Sequence, residues 1–172
     1  MPILPTVRDP RLITLRRGGS LTDDDHRLLA EWALTCAEHV LPLFEREAGH
    51  DLRPQQAIDI GHSWARGEAR MTDAHNAAFV ANAAARGLSD PAKFAALAAG
   101  QAVAVAHVAA HALGAAAYAI RAAQAAGEPD GADAGRLRER DWQRERLAAP
   151  IRSLVLEDQR LRNDICWYAF SD

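Results

Sequence analysis

The run from Asp90 to Ala126, DPAKFAALAAGQAVAVAHVAAHALGAAAYAIRAAQAA, constrains the fold more than any other stretch, because its pattern predicts a helix apolar on nearly every side. Such a helix has to be enclosed by others, so an all-α chain is expected: a single helical bundle of about six helices around a long central helix over residues 90–126. Asp90 suits the cap, Pro91 the first helical position, and Gly127 with Pro129 the stop. At 1.5 Å per residue this helix would be about 55 Å long, whereas a compact chain of this size has a radius of gyration of about 16 Å. It must therefore protrude or bend, and Gly100 and Gly114 are the expected bend points.

A membrane span is the competing reading, since Ala92 to Ala119 is long enough. Alanine supplies little transfer free energy, and Gln101, His107 and His111 would sit in hydrocarbon, so the span is rejected. The 172 residues are enough for one domain with its own core, divided into an extended arm over residues 1–19 and a helical bundle over residues 20–172. A net charge of −3, with Lys93 the only lysine, calls for neither nucleic acid nor an anionic membrane. The prolines at 2, 5 and 10 keep the arm extended over the bundle, with a turn of strand at Leu12 to Leu15. Its arginines, Arg8, Arg11, Arg16 and Arg17, have no interleaved aromatics for base stacking and read as a solvated, salt-bridging set. Cys36 and Cys166 lack zinc or redox spacing, and the N-terminus lacks the apolar run of a signal peptide; a cytoplasmic protein with core cysteines is expected.

A first long helix opens at Ser20 or Thr22, and Pro42 should kink or end it near Leu41. Helices then follow from Pro54 to about Glu68 and from Thr72 to about Arg86. GEPDGADAG, residues 127–135, reads as a mobile loop, and RLRERDWQRERL after it as a surface helix with Trp142 its single anchor. The last helix is expected from Pro150 to about Tyr168, with Ile151, Val155, Leu161 and Tyr168 facing inward. Asp158 falls in that stripe and needs a partner, either Arg162 or a histidine of the central helix.

On one continuous helix, Gly100, Ala104, His107, His111, Gly114, Tyr118 and Arg121 share a side and form a seam. His107 and His111, four apart, could hold a divalent metal with a third ligand from His39, His62, His75 or Asp158. Such a metal would need neutral rings and would bind more weakly below about pH 6. The alternative is that each imidazole joins helices by hydrogen bonding. Gln101, Tyr118 and Asp158, also expected inward, would complete either a ligand-binding set or a satisfied core network. Cys36 with His39 reads as a nucleophile and base or as inert packing, and Asp23, Asp24 and Asp25 as an acidic docking patch or as carboxylates favoured by the helix dipole. A phosphate-binding glycine loop, a dinucleotide fingerprint, HExxH, paired CxxC and GxSxG are all absent from the sequence.

Four segments taken in order, RDPRLITLRRGGSLTDDDHRLLAEWALTCAEHVL, WARGE, AAGQAVAVAHVAAHALGAAAYAIRAA and LVLEDQRLRNDICWYAF, resemble the bacterial immunity proteins of the Imm-5-like group. The resemblance implies a protein that binds and neutralises a partner toxin, without a cofactor, and it carries over no catalytic residues. The arm, Asp23 to Asp25 and the helix around Trp142 are the surfaces such a partner would meet, Trp142 being the expected anchor. The competing function is a small-molecule-binding protein or helical-bundle enzyme, with or without a metal, at the His107, His111 and Tyr118 seam. The small residues of Ala104 to Ala125 suit a homodimer as well as a monomer.

Overall fold

A computed structural model describes residues 3–127 and 131–172. Among them seven α-helices follow one another: α1 (Asp23–Ala48), α2 (Arg53–Ala65), α3 (Met71–Ala84), α4 (Asp90–Ala104), α5 (His111–Ala126), α6 (Ala132–Glu145) and α7 (Ala149–Leu161). No strand is formed among the described residues, and no helix there is long and apolar enough to cross a membrane.

The Thr22 side chain caps α1 by accepting from the Asp25 N–H (3.1 Å), and three aspartates occupy the first turn, where the helix dipole favours them. The helix buries Leu29, Trp32, Ala33, Cys36, Val40 and Phe44. Pro42 does not end it. The carbonyl that loses its donor belongs to Glu38, an exposed residue, so it is not left buried without a partner.

The expected single central helix is instead two helices, α4 and α5, folded back on each other through residues 105–110. Those residues, VAHVAA, contain neither glycine nor proline, so local propensity does not cause the break. Tertiary bonding holds it. Two carbonyls freed by the interruption are taken up by side chains from elsewhere in the chain, His26 Nε2 donating to Val105 O (2.7 Å) and Arg17 Nη1 to His107 O (3.4 Å), while Arg162 Nη2 donates to the carbonyl of Ala110 (3.1 Å), the cap of α5. Doubling back also buries the alanine faces on one another; Ala95, Ala99, Ala115 and Ala119 are fully buried.

Gly100 and Gly114 are not bend points. A Cβ at Gly100 would lie 2.1 Å from Asn82 Oδ1, and one at Gly114 would lie 2.6 Å from Gln101 Oε1. Both glycines make room for a polar side chain of a neighbouring helix.

Around this hairpin, α1, α2 and α3 cover α4, while α1 and α6 cover α5. The arm forms two 3-10 turns, Pro10–Leu12 and Leu15–Arg17, and a single bridge between Thr14 and Leu21 in place of a turn of strand. Ile3 and Leu12 anchor it in the core, and Arg11 ties it to Glu157 (2.6 Å).

Helix α6 begins within the expected loop, at Ala132; residues 128–130 of that loop lie outside the described residues. The following helix is not purely a surface element either. Arg136, Arg140 and Arg144, spaced four apart, grip the C-terminal tail: Arg136 Nη1 donates to Ser171 O (2.6 Å), Arg144 Nη2 to Phe170 O (2.9 Å), and Arg140 also to Ser171 O. That tail exists because α7 stops at Leu161 instead of running to Tyr168. Residues 162–170 form turns, with Trp167 and Tyr168 in the left-handed region (φ 56° and 58°). Leu161 and Tyr168, expected inward, are 52% and 64% exposed.

Candidate functional site

Because the central helix is broken, the expected seam divides into three separate settings. His111 opens α5 and donates from Nδ1 to Gln101 Oε1 (2.8 Å) across the hairpin; this bond, above Gly114, closes the α4–α5 turn. Burial, and then the charges of His107, Arg162, Arg8 and His75, push its pKa down to about 4, so the ring is neutral at pH 7. His107 lies in the turn itself. Its ring faces that of His75 on α3 at 4.6 Å, and burial followed by His75, Arg17 and Arg8 lowers its pKa as well. Tyr118 is two turns further on, among Phe94 (6.1 Å) and Trp167 (5.0 Å), where burial raises its pKa. Beside it the Arg121 guanidinium lies 4.0 Å from the Phe94 ring centre and 4.2 Å from that of Trp167, a cation–π clamp that joins the tail to the hairpin.

Asp158 meets Arg162, the first of its two expected partners. Arg162 Nε donates to Asp158 Oδ1 (2.6 Å) and Nη2 to Oδ2, while the same guanidinium also bonds the carbonyls of Ala110 and Ile3 (3.3 Å). The carboxylate is thus occupied in fastening α7 to the turn and the arm.

Of the other candidate metal ligands, His75 meets the rings of Phe79 and His107, while His39 and His62 are hydrogen-bonded to carboxylates. His39 Nδ1 donates to Glu139 Oε2 (2.6 Å), and His62 bonds Glu31 (3.1 Å) and Glu38 (2.8 Å) through its two ring nitrogens, joining α2 to α1. Among the described residues no group of three His, Cys, Asp or Glu side chains converges as a metal centre requires. The cysteines are buried and unpaired; burial drives the Cys36 thiol well up and the Cys166 thiol up to about 12, the opposite of an activated nucleophile.

A more open setting lies between α1 and α6. The Trp142 indole stacks on the His39 imidazole at 3.6 Å with 3° between planes, and the Arg146 guanidinium covers it at 3.7 Å. Buried Glu139 holds His39 and also accepts from Gln143 Nε2 (2.9 Å); Trp32 Nε1 donates to Gln143 O (2.9 Å). This network docks α6 on α1, and beside it runs a groove of about 700 Å³ with an apolar floor that includes Val40, Leu43 and Ala123 and a rim that includes Arg46, Asp141 and Glu145. Glu139 and Gln143 carry no sequence signal as site residues, because their helix looked solvated throughout. Only the one-in-four spacing of Glu139 and Gln143, in register with Arg136, Arg140 and Arg144 on adjacent faces, hints that two sides of α6 are covered. Asp23, Asp24 and Asp25 lie at the far end of α1. Asp23 pairs with Arg16 (3.1 Å) and Asp24 with Arg27 (3.4 Å).

The arrangement is thus a helical bundle whose histidines join helices, with no activated nucleophile among its cysteines and an aromatic, charge-rimmed groove on one flank. The family model described as Imm-5 like putative immunity protein matches residues 19–150, and the chain belongs to that family. Comparison with curated proteins and with solved structures gives no match.

Proposed function

We propose that this protein acts as a cytosolic immunity protein that binds a partner toxin and neutralises it by covering the toxin's working surface. The family match over residues 19–150 carries the reading. What supports a docking role for the α1–α6 groove is its make-up: a half-buried tryptophan over an apolar floor, ringed by charges of both signs, is the composition of an interface hot spot. Asp23, Asp24 and Asp25 stand about 21 Å or more along α1 from His39, within the breadth of an interface burying about 800 Å² per partner. They are proposed as the acidic edge of the same surface, with Trp142 at its centre.

The test pairs the protein with the product of each neighbouring reading frame, expressed as a candidate toxin. Co-expression should relieve toxicity, and the two chains should co-purify. Trp142→Ala should weaken the complex by about 2 kcal/mol or more. Because Trp142 also packs on His39, Arg46→Glu serves as a second variant that reverses an exposed rim charge, and it too should reduce binding. Failure of the wild-type chain to bind or protect overturns the toxin reading; full protection by both variants overturns the placement of the interface.

A further inference from the structure

A second concavity, smaller and more enclosed than the groove, lies between the arm and the α4–α5 turn and holds about 300 Å³. Its lining contains three arginines, Arg8, Arg16 and Arg17, and no carboxylate, in a chain whose net charge is −3. The guanidiniums remain available. Arg8 pairs with no carboxylate among the described residues, Arg17 makes one long bond to the His107 carbonyl (3.4 Å), and Arg16 meets Asp23 in a pair whose side chains are 81% and 57% exposed. Such an exposed pair is weak and readily exchanged.

Burial lowers the pKa of His107, which lines the cavity, and behind it His75, Arg17 and Arg8 act in the same direction, so a cation is disfavoured there. The floor is of a different character. Trp64 and Met71, with Leu12, offer apolar and aromatic surface to an uncharged group.

We propose that this pocket binds a small phosphate-bearing ligand no larger than a mononucleotide, its phosphate held by Arg8, Arg16 and Arg17 and its uncharged body seated against Trp64 and Met71. Guanidinium forks match the paired oxygens of a phosphate. A volume of about 300 Å³ stands at the lower end of small-molecule sites and is closed to a polymer. Only His107 is shared with the histidine seam, and the inference does not rest on the toxin reading.

The test is calorimetric titration of the purified full chain, in phosphate-free buffer at low salt, with inorganic phosphate, adenosine monophosphate, adenosine and malonate. Saturable binding of the monophosphate with none of adenosine is expected. Tighter binding of the monophosphate than of inorganic phosphate identifies an ester and supports the proposal, whereas equal binding of the two overturns the seating of an uncharged body on Trp64 and Met71. Arg17→Gln and Arg8→Gln should each weaken binding about tenfold, the loss of one charge-assisted bond. Arg27→Gln, on α1 outside the pocket, should leave it unchanged. Arg8 is exposed and makes no ion pair among the described residues, so its variant folds even where Arg17→Gln does not. The proposal is overturned by no saturable phosphate or monophosphate binding up to about 10 mM, by malonate binding as tightly as phosphate, or by equal effects of Arg8→Gln and Arg27→Gln.

Discussion

Replacing Arg162 by methionine tests whether the break in the central hairpin is held from outside. In the folded protein this guanidinium neutralises Asp158, with side-chain exposures of only 6% and 10%, and donates to the carbonyls of Ala110 and Ile3. Methionine fills much of the space but leaves a buried carboxylate without a partner, which costs about 3–5 kcal/mol. For a chain of this length that corresponds to a fall in Tm of about 10 °C. Arg162→Met/Asp158→Leu removes both charges and keeps only the loss of the two carbonyl bonds, about 1 kcal/mol each. The double variant should therefore be more stable than the single one by about 2 kcal/mol in urea unfolding. A single variant within about 1 kcal/mol of wild type, or a double variant less stable than the single, would refute the claim that Arg162 holds Asp158 and the turn together.

The remaining predictions use the same bookkeeping of buried groups. His111 has a folded pKa of about 4, below the 6.5 of the unfolded chain, so the unfolded state binds more protons between these values. Its contribution is complete above pH 6.5 and is lost as pH falls toward 4; urea midpoints should drop by the equivalent of up to about 3 kcal/mol, and His111→Gln should flatten that slope. Gly100→Ala gains about 1 kcal/mol of helix propensity but drives a Cβ against Asn82, so thermal unfolding should show a net loss of about 1–2 kcal/mol. Tyr168→Gly removes an exposed side chain from a left-handed residue and should raise stability by about 0.5–1 kcal/mol, whereas Trp167→Gly, which strips the Tyr118 and Arg121 contacts, should lower it.

Much of the candidate site was legible only as a set of residue types. Gln101, His111 and Asp158 are engaged within the packing of the hairpin and α7, whereas His107 stands in the turn and lines the cavity under the arm. Their grouping was not legible, because it assumed one continuous helix: once the chain turns at 105–110, Tyr118 moves away from His107, and each histidine meets a different helix. The role of α6 was hidden for a related reason. A run of alternating charges looks the same whether it faces water or grips backbone carbonyls, and the carbonyls that Arg136, Arg140 and Arg144 bind belong to a tail some thirty residues away.

What the sequence determined by itself is local: the helical class, a helix start at Ser20 or Thr22 followed by three aspartates, the stop at Gly127, the burial of an alanine-rich centre, and a family likeness spread over the chain. These follow from periodicity and capping, which act within a few residues. The tertiary structure alone decided that the centre is a hairpin. An alanine-rich run satisfies its own hydrogen bonds equally well as one rod or as two, except at the turn, and there the balance rests with His26, Arg17 and Arg162, three donors that only the folded chain brings to the carbonyls of residues 105, 107 and 110.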